Sequence, residues 1–242
     1  MGIIVQKFGG TSVADAEGLR RAAKLIAAAH SAGNAVVAVV SAQGNSTDEL
    51  LKKAAEISFD PCKRELDALL SSGEQASMAL LAIAAEAAGC PAVSLSGPAA
   101  GIITDGHYGE AEILKIDTDR IKKELSAGRA VVVAGFQGAT PNGDVATLGR
   151  GGSDTSAVAL AAALDAKICK IYTDVDGVYT ADPRRDPSAK KLDRISYDEM
   201  LKMARAGAQV LHPRAAELAK KHGVLVEVLS SFSSAPGTVL TQ

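Results

Sequence analysis

Residues 5–13 (VQKFGGTSV) carry residue types that bind phosphate. They follow a short apolar run and lead into a helical pattern that starts at Ala14. Glycines at a strand-to-helix turn leave backbone N–H groups unpaired, and no Cβ atom blocks a polyanion that approaches them. Lys7, at the end of the predicted strand, adds a point charge suited to phosphate. This segment predicts an enzyme that handles phosphate groups.

A second glycine cluster, residues 148–155 (LGRGGSDT), runs directly into a helical pattern at 156–164. We expect Ser153 or Asp154 to cap this helix, whose first N–H groups then face the glycine loop. Arg150 brings a planar guanidinium that matches a carboxylate or a phosphate. A tight strand-to-helix turn is the plain alternative, but charged residues among the glycines favour a functional loop.

The third segment, residues 171–185 (IYTDVDGVYTADPRR), continues a strand into a turn at 176–177. Tyr179 is expected to pack on a flat ring, and Arg184 and Arg185 to meet phosphate oxygens. An ordinary hairpin with solvated arginines explains this segment equally well.

Several standard motifs are excluded. The sequence contains no GxxxxGK[ST], GxSxG or HExxH, and residues 149–151 lack the third glycine of the dinucleotide fingerprint. Residues 174–185 differ from a calcium loop, because their glycine stands at position four and Arg185 replaces the glutamate of position twelve.

Apolar and amphipathic segments alternate along the chain, which predicts an α/β sandwich with a mostly parallel central sheet. Strands are predicted at 3–5, 35–40, 92–95, 130–134, 168–172 and 225–229. Helices are predicted at 15–32, 47–55, 64–88, 117–127, 154–164, 197–206 and 213–222. Residues 101–109 and 137–144 are predicted to be hairpin loops inserted at sheet edges. Residues 1–242 show no long linker, so one domain is expected.

The composition favours a small-molecule partner. Hydrophobic residues make up 47% of the chain, and 26 basic residues face 28 acidic ones, a net charge of −2. No block of like charge predicts a nucleic-acid or membrane partner. No apolar run reaches the ~18–20 residues of a bilayer span, and no signal peptide is expected. Three widely spaced cysteines predict reduced thiols, and therefore a cytoplasmic protein.

The three segments, together with residues 41–51 (SAQGNSTDELL), 72–74 (SGE) and 134–138 (AGFQG), resemble the motifs of aspartate kinases, in the amino acid kinase family. The motifs occur in that family's order and cover nearly the whole chain. Thr47 and Glu74 make the sequence more similar to aspartate kinases than to kinases of glutamate, acetylglutamate, carbamate or uridylate. The resemblance implies a three-layer α/β/α sandwich and a homodimer.

The resemblance also implies transfer of the γ-phosphate of ATP to the side-chain carboxylate of L-aspartate, with Mg²⁺. A carboxylate is already ionised at neutral pH and needs no general base, so all four histidines are expected to be structural or surface residues. The chemical difficulty is instead the repulsion between two anions. Positioning and positive charge must overcome this repulsion.

The roles implied by the resemblance fall into three groups, and no protein metal site is predicted. Implied as catalytic are Lys7, which bridges the transferred phosphoryl group, and Asp154, which orients Lys7 or the substrate ammonium. Implied as substrate-binding are Ser41, Thr47, Glu74, Arg150, Gly151, Gly152 and Ser153. Implied as nucleotide-binding are Lys7, Phe8, Gly9, Gly10, Thr173, Asp174, Tyr179, Asp182 and Arg184. Arg150 would hold the α-carboxylate of aspartate and Glu74 its ammonium. Two simpler interpretations remain: Glu74 as a dipole partner at a helix start near 72–73, and Thr47 as a helix N-cap.

The sequence departs from the family's pattern in places. Gln43 stands where methionine is common, Asn45 and Ser46 replace a threonine pair, and Gln209 stands where a nucleotide-associated lysine is frequent. Typical members continue into regulatory ACT domains, so feedback inhibition through such a site is not expected of this chain alone. Two alternatives stay open: a kinase of another small acid, which Gln43 and Asn45 would permit, and a catalytically silent binding subunit.

Overall fold

The computed structural model describes residues 2–181, 186, 188–207 and 210–241. Its strands are β1 (Ile3–Phe8), β2 (Ala35–Val40), β3 (Ala92–Leu95), β4 (Ile102–Thr104), β5 (Ile113–Ile116), β6 (Ala130–Ala134), β7 (Gln137–Ala139), β8 (Val145–Thr147), β9 (Ile168–Thr173), β10 (Arg194–Ser196), β11 (Val226–Ser230) and β12 (Thr238–Thr241). Eight of them form the central sheet, in the order β10-β12-β11-β9-β1-β2-β6-β3. Within this sheet β11 and β12 pair antiparallel, and the other described neighbours pair parallel. The predicted mostly parallel sheet is confirmed.

Helices cover both faces of this sheet. They are α1 (Ala16–Ser31), α2 (Ser46–Ile57), α3 (Lys63–Ala87), α4 (Asp119–Ser126), α5 (Gly152–Ala163), α6 (Tyr197–Arg205) and α7 (Pro213–His222). Each predicted strand and helix is present, with ends that differ by at most three residues. A single 3₁₀ turn, Gly10–Val13, lies between β1 and α1.

Side chains of β2 show how the sequence builds three layers. Val37 and Val39 lie in the core that also contains α5 and α7. Val36, Ala38 and Val40 point to the opposite face and lie in the core shared with α1 and α3. Successive residues of a strand face opposite sides of the sheet, so a continuous apolar run is buried on both faces. The α/β/α sandwich is confirmed.

Four short strands form a second sheet in the order β5-β4-β7-β8. Residues 101–109 and 137–144 were predicted to be hairpin loops inserted at sheet edges. Each range does lie in a hairpin, because β4 pairs antiparallel with β5 and β7 with β8. The prediction was wrong in that each range contains a strand, β4 or β7, and the hairpins form a sheet of their own. Strands of three or four residues are too short to show an alternating pattern. The second sheet places residues 107–111 beside the glycine loop that follows β8.

The parallel strands bring their carboxyl ends to one edge of the central sheet. β1 lies between β2 and β9, so the segments that follow these three strands are neighbours. Ligands of open α/β sheets bind in the crevice outside such an edge. The Lys7 segment, residues 41–44 and the segment after Thr173 all begin there.

Helix α3 is the one described helix that is long and apolar enough to cross a membrane, judged by length and composition alone. In the fold it packs against α1 and the central sheet, and Leu81 and Ala85 are buried in that core. Two carboxylates, Asp67 and Glu74, lie on its buried side. These contacts are those of a core helix.

Candidate active site

A cavity of about 800 Å³ opens at the carboxyl edge of the central sheet. It brings together residues from β1, from the segment after β2, from α2 and α3, and from the start of α5. Of the residues implied in substrate binding and catalysis, the cavity lining contains Lys7, Ser41, Thr47, Glu74, Arg150, Gly151, Gly152, Ser153 and Asp154. Segments that are distant in sequence therefore share one site.

Lys7 and Asp154 form an ion pair in the wall of this cavity. Lys7 Nζ lies 2.7 Å from Asp154 Oδ1, and both side chains are largely buried, with 12% and 13% of their surfaces exposed. The distance is that of an ion pair, although the angles do not give Oδ1 a well-aligned hydrogen bond. Asp154 stands in the first turn of α5, so the pair connects β1 to a helix N-terminus. The contact fixes the direction in which Lys7 points.

The first glycine turn is tightly packed against the segment that follows β2. A Cβ atom on Gly10 would lie 2.7 Å from the carbonyl oxygen of Ala42. The Gly44 N–H donates to the Gly10 carbonyl at 3.1 Å, and the Ser41 N–H donates to the Phe8 carbonyl at 3.1 Å. Glycine is therefore required at position 10 because two backbones meet there.

Glu74 is a buried carboxylate with one free oxygen. Oε1 accepts the Ala42 N–H at 3.1 Å, whereas Oε2 is buried and has no hydrogen-bond partner among the described residues. Burial raises the pKa of Glu74 to about 7, and the Ala42 N–H opposes this only in part. Glu74 lies in the middle of α3, which is continuous through Ser72 and Gly73, so the interpretation as a residue at a helix start was wrong. An unpaired carboxylate oxygen in a cavity wall is an acceptor for a ligand cation.

The Arg150 loop is built from two left-handed glycines. Gly149 and Gly151 have φ angles of 72° and 70°, and Arg150 between them is exposed at the mouth of the cavity. The helix begins at Gly152 with Gly151 as its N-cap, so neither Ser153 nor Asp154 caps it as predicted. The glycines form the turn themselves, which leaves Asp154 available for Lys7.

Gln43 and Asn45 were named as the residues that would permit another small acid as substrate, and their positions give that alternative no support. The Gln43 side-chain amide donates to the Val13 carbonyl at 2.7 Å, so it ties the 3₁₀ turn and does not line the cavity. Asn45 is exposed at the N-cap position of α2. Thr47 lies within the first turn of that helix, so its interpretation as the N-cap was wrong.

Of the residues implied in nucleotide binding, Lys7 and Gly10 line the cavity, and the other described ones do not. Thr173 ends β9, and its hydroxyl donates to Asp174 Oδ1 at 3.0 Å. The Tyr179 hydroxyl donates to Asp176 at 2.9 Å, and none of these residues lines the cavity. Gly9 follows β1, and a Cβ atom there would lie 3.5 Å from Lys7 Nζ. Asp182, Arg184 and Gln209 lie outside the described residues.

The Phe8 side chain lies in the core of the protein. Its ring is fully buried and stacks on Tyr172, with 4.9 Å between ring centroids and an interplanar angle of 9°. The ring therefore belongs to the core and fixes the end of β1, the strand that carries Lys7. The implied contact of Phe8 with a nucleotide stays a prediction, and it would have to be made by the backbone.

Three cavity residues were missed by sequence reasoning. His212 was expected to be structural or on the surface, yet its ring packs on the glycine loop, where a Cβ atom on Gly151 would lie 2.1 Å from His212 Cγ. Arg214 also lines the cavity. Phe136 adopts a left-handed φ of 68°, which is uncommon for a bulky residue and occurs mostly at functional sites. The signal for the first two was residues 211–214 (LHPR), in which a histidine and an arginine flank a proline.

The described residues contain no group of three or more His, Cys, Asp or Glu side chains that could hold a metal ion. Kinase sites hold Mg²⁺ by one or two carboxylates together with the substrate's phosphates. Asp154, which faces the cavity beside Lys7, is a single carboxylate of this kind. The donor set fits an ion that is carried by a nucleotide, not a resident metal cage.

Comparisons with known proteins identify the family of this chain. The Amino acid kinase family model matches residues 2–230. An aspartokinase of Geobacillus stearothermophilus is 55% identical over 242 residues, which is 100% of this chain and 60% of that protein. The chain thus spans about three fifths of the length of the curated relatives it matches.

Solved structures show the same fold. An aspartate kinase from Synechocystis superposes with a TM-score of 0.89 at 50% identity, covering 99% of this chain and 39% of that one. E. coli aspartokinase III in complex with aspartate and ADP gives a TM-score of 0.87 at 28% identity, covering 99% of this chain and 64% of that one. The chain belongs to the amino acid kinase family.

Proposed function

We propose that this chain is the catalytic unit of an ATP-dependent aspartate kinase, with residues 1–242 acting as one domain. The observation that carries this proposal is the single cavity in which a lysine, two glycine turns, a buried carboxylate and an arginine meet. Relatives more than 50% identical over the whole chain are aspartokinases, and a related structure holds aspartate and ADP. The reaction would convert L-aspartate and ATP into 4-phospho-L-aspartate and ADP.

Recognition of the amino acid needs one anion and one cation in the protein. Glu74 Oε2, buried and unpaired among the described residues, would accept the substrate ammonium. Arg150, exposed on its glycine loop, would hold the α-carboxylate in a bidentate contact. Ser41, Thr47 and Ser153 line the same cavity and supply hydroxyl groups. The side-chain carboxylate is then left free to face the nucleotide.

Phosphoryl transfer needs positive charge and alignment, since the acceptor is already an anion. Lys7 would bridge the transferred phosphoryl group, and Asp154 would fix the orientation of the Lys7 ammonium. Gly10 begins the 3₁₀ turn and Gly151 is the N-cap of α5, and anions are favoured at such helical starts. The N–H groups of Gly9 and Gly152 are already donated to the carbonyl oxygens of Tyr172 and Gly149, at 3.3 Å and 3.0 Å. Mg²⁺ bound by the phosphates, with Asp154 the carboxylate nearest to Lys7, would neutralise further charge. No proton is removed from the acceptor.

The nucleotide would extend from Lys7 across the end of β9, where Thr173, Asp174 and Tyr179 lie. The family resemblance adds Asp182 and Arg184, which follow in sequence, to this proposed subsite. We also propose that the enzyme is a cytoplasmic homodimer with no nucleic-acid or membrane partner. The near-neutral charge balance supports the last point.

A coupled assay of ADP release tests the activity on L-aspartate, L-glutamate, N-acetyl-L-glutamate and uridylate. We expect L-aspartate to have the highest kcat/KM, and Lys7→Ala to lower its turnover by orders of magnitude. Lys170→Ala is a matched control, because Lys170 lies on the neighbouring strand β9 and pairs with Glu227 away from the cavity. Faster turnover of any other acceptor would overturn the substrate assignment.

A further inference from the structure

Two side chains on opposite helices hold the backbone that leads into the Arg150 loop. Asp67, on α3, is 1% exposed, and its carboxylate accepts three hydrogen bonds. Oδ2 accepts the N–H groups of Gly109 at 2.9 Å and Thr147 at 2.7 Å, and Oδ1 accepts the Thr147 hydroxyl at 2.8 Å. This carboxylate therefore joins residues 107–111 to the end of β8.

Arg214, in the first turn of α7, makes the complementary contacts. Its guanidinium donates to the carbonyl oxygens of Leu148 at 2.5 Å and Ala111 at 3.2 Å. Asp67 thus binds N–H groups, and Arg214 binds C=O groups, of the same two backbone segments. Leu148 and Ala111 are fully buried and share a small apolar cluster with Ala146.

The two backbone segments that Asp67 and Arg214 contact lie next to Arg150 in the structure. Gly149 follows Leu148, and a Cβ atom on Gly149 would lie 2.9 Å from the Gly109 carbonyl, so the two segments are in close contact. Arg150 is itself exposed, and a mobile loop would lose the alignment that a bidentate contact needs. The rigidity of the loop must come from neighbours that do not touch the ligand.

We propose that Asp67 and Arg214 are positioning residues for Arg150, acting through the backbone of residues 109–111 and 147–148. This inference rests on the proposed function in one respect, which is that Arg150 binds the α-carboxylate of the acceptor. Both residues also line the cavity, so direct contact with a substrate is the competing explanation. The two explanations differ in one respect: only positioning requires that the effect of mutating Asp67 or Arg214 disappears when Arg150 is absent.

The decisive experiment is a double-mutant cycle between Arg214→Met and Arg150→Ala, read as the KM for L-aspartate. Arg214→Met is expected to raise that KM on the order of tenfold and to leave the KM for ATP within about twofold. In the Arg150→Ala background, Arg214→Met should change the KM for L-aspartate by less than about twofold, because its effect passes through Arg150. Additive effects would overturn the proposal in favour of direct binding.

Two further variants separate charge from geometry. Arg214→Lys keeps the charge but loses the planar fork, so it is expected to behave like Arg214→Met. Asp67→Asn keeps the volume and loses an acceptor, and is expected to raise the same KM. Arg205→Met is the matched control, because Arg205 pairs with Glu217 of α7 and touches neither backbone segment. Wild-type KM in Arg214→Lys would contradict positioning through the fork.

Amide hydrogen exchange at residues 147–152 tests the clamp without relying on the activity. In the unliganded chain, Arg214→Met and Asp67→Asn should speed exchange there on the order of tenfold, and Arg205→Met should not. Unchanged exchange in both variants would refute the clamp. Absence of turnover with L-aspartate in the wild type would instead refute the proposed function, and the exchange data would still decide whether the clamp exists.

Discussion

Glu74 gives a prediction in which stability and binding change in opposite directions. The variant is Glu74→Gln, which keeps the volume of the side chain and an oxygen that can accept the Ala42 N–H. Burial raises the pKa of Glu74 from 4.5 to about 7. This difference corresponds to roughly 3 kcal/mol at about 1.4 kcal/mol per pKa unit. It is the free energy that the folded, unliganded protein loses by holding a desolvated charge.

The sign of the pH dependence follows from the direction of the shift. The folded state favours the protonated carboxyl, so below pH 4.5 Glu74 is neutral in folded and unfolded states and costs nothing. The penalty grows as pH rises through the window from 4.5 to about 7 and is complete above it. Replacing Glu74 by glutamine should therefore stabilise the unliganded protein at alkaline pH and leave it almost unchanged at acid pH.

Thermal unfolding without ligands, at about pH 5 and at about pH 8, measures this effect. At the higher pH we expect the melting temperature of the variant to be several degrees above that of the wild type. Roughly 2–4 °C corresponds to 1 kcal/mol for a chain of this size. Glu86→Gln is the control, because Glu86 is exposed on the same helix and should change nothing. The KM for L-aspartate should rise in Glu74→Gln alone. A variant that is less stable than the wild type at the higher pH would refute the reasoning.

Three further predictions concern other parts of the site. Lys7→Ala should lower the melting temperature as well as kcat, because it leaves the largely buried Asp154 carboxylate unpaired; adding Asp154→Asn should restore the melting temperature but not kcat. Gly151→Ala should raise the KM for L-aspartate, and it should destabilise the fold more than Gly143→Ala does. Both positions have a left-handed φ, but only a Cβ atom at position 151 would meet the His212 imidazole. Equal melting temperatures for the two variants would contradict this. Gln43→Met should leave the preference for L-aspartate over L-glutamate within about twofold, because that side chain faces the 3₁₀ turn; a larger change in the kcat/KM ratio would place it at the substrate.

Sequence reasoning predicted six of the eight strands of the central sheet, because several of them are continuous apolar runs. It missed β10 and β12, which have only three and four residues. Residues 35–40, for example, are buried on both faces of β2, and such a run has few other interpretations. The short strands of the second sheet gave no comparable signal. They depend on tertiary contacts, such as those of Asp67 with Thr147 and Gly109, which local propensity does not encode.

The site was predictable where glycines and charges adjoin, as at Lys7 and Arg150. It was not predictable where a residue enters the cavity from a distant helix, as His212 does when it packs on Gly151. Motif resemblance also did not show that the Phe8 ring stacks on Tyr172 in the core. The caps of α2 and α5 were misassigned because Asn45 and Gly151 take the N-cap positions, two or three residues before the side chains that were expected to cap.

The central claim is that a fixed lysine and two glycine turns bring two anions into line without a general base. A crystal structure with L-aspartate and a non-hydrolysable ATP analogue tests it most directly. We predict that the terminal phosphate lies within about 3 Å of Lys7 Nζ, between the glycine turns at 9–10 and 149–152, with the substrate side-chain carboxylate in line. A triphosphate bound away from both turns would contradict the account.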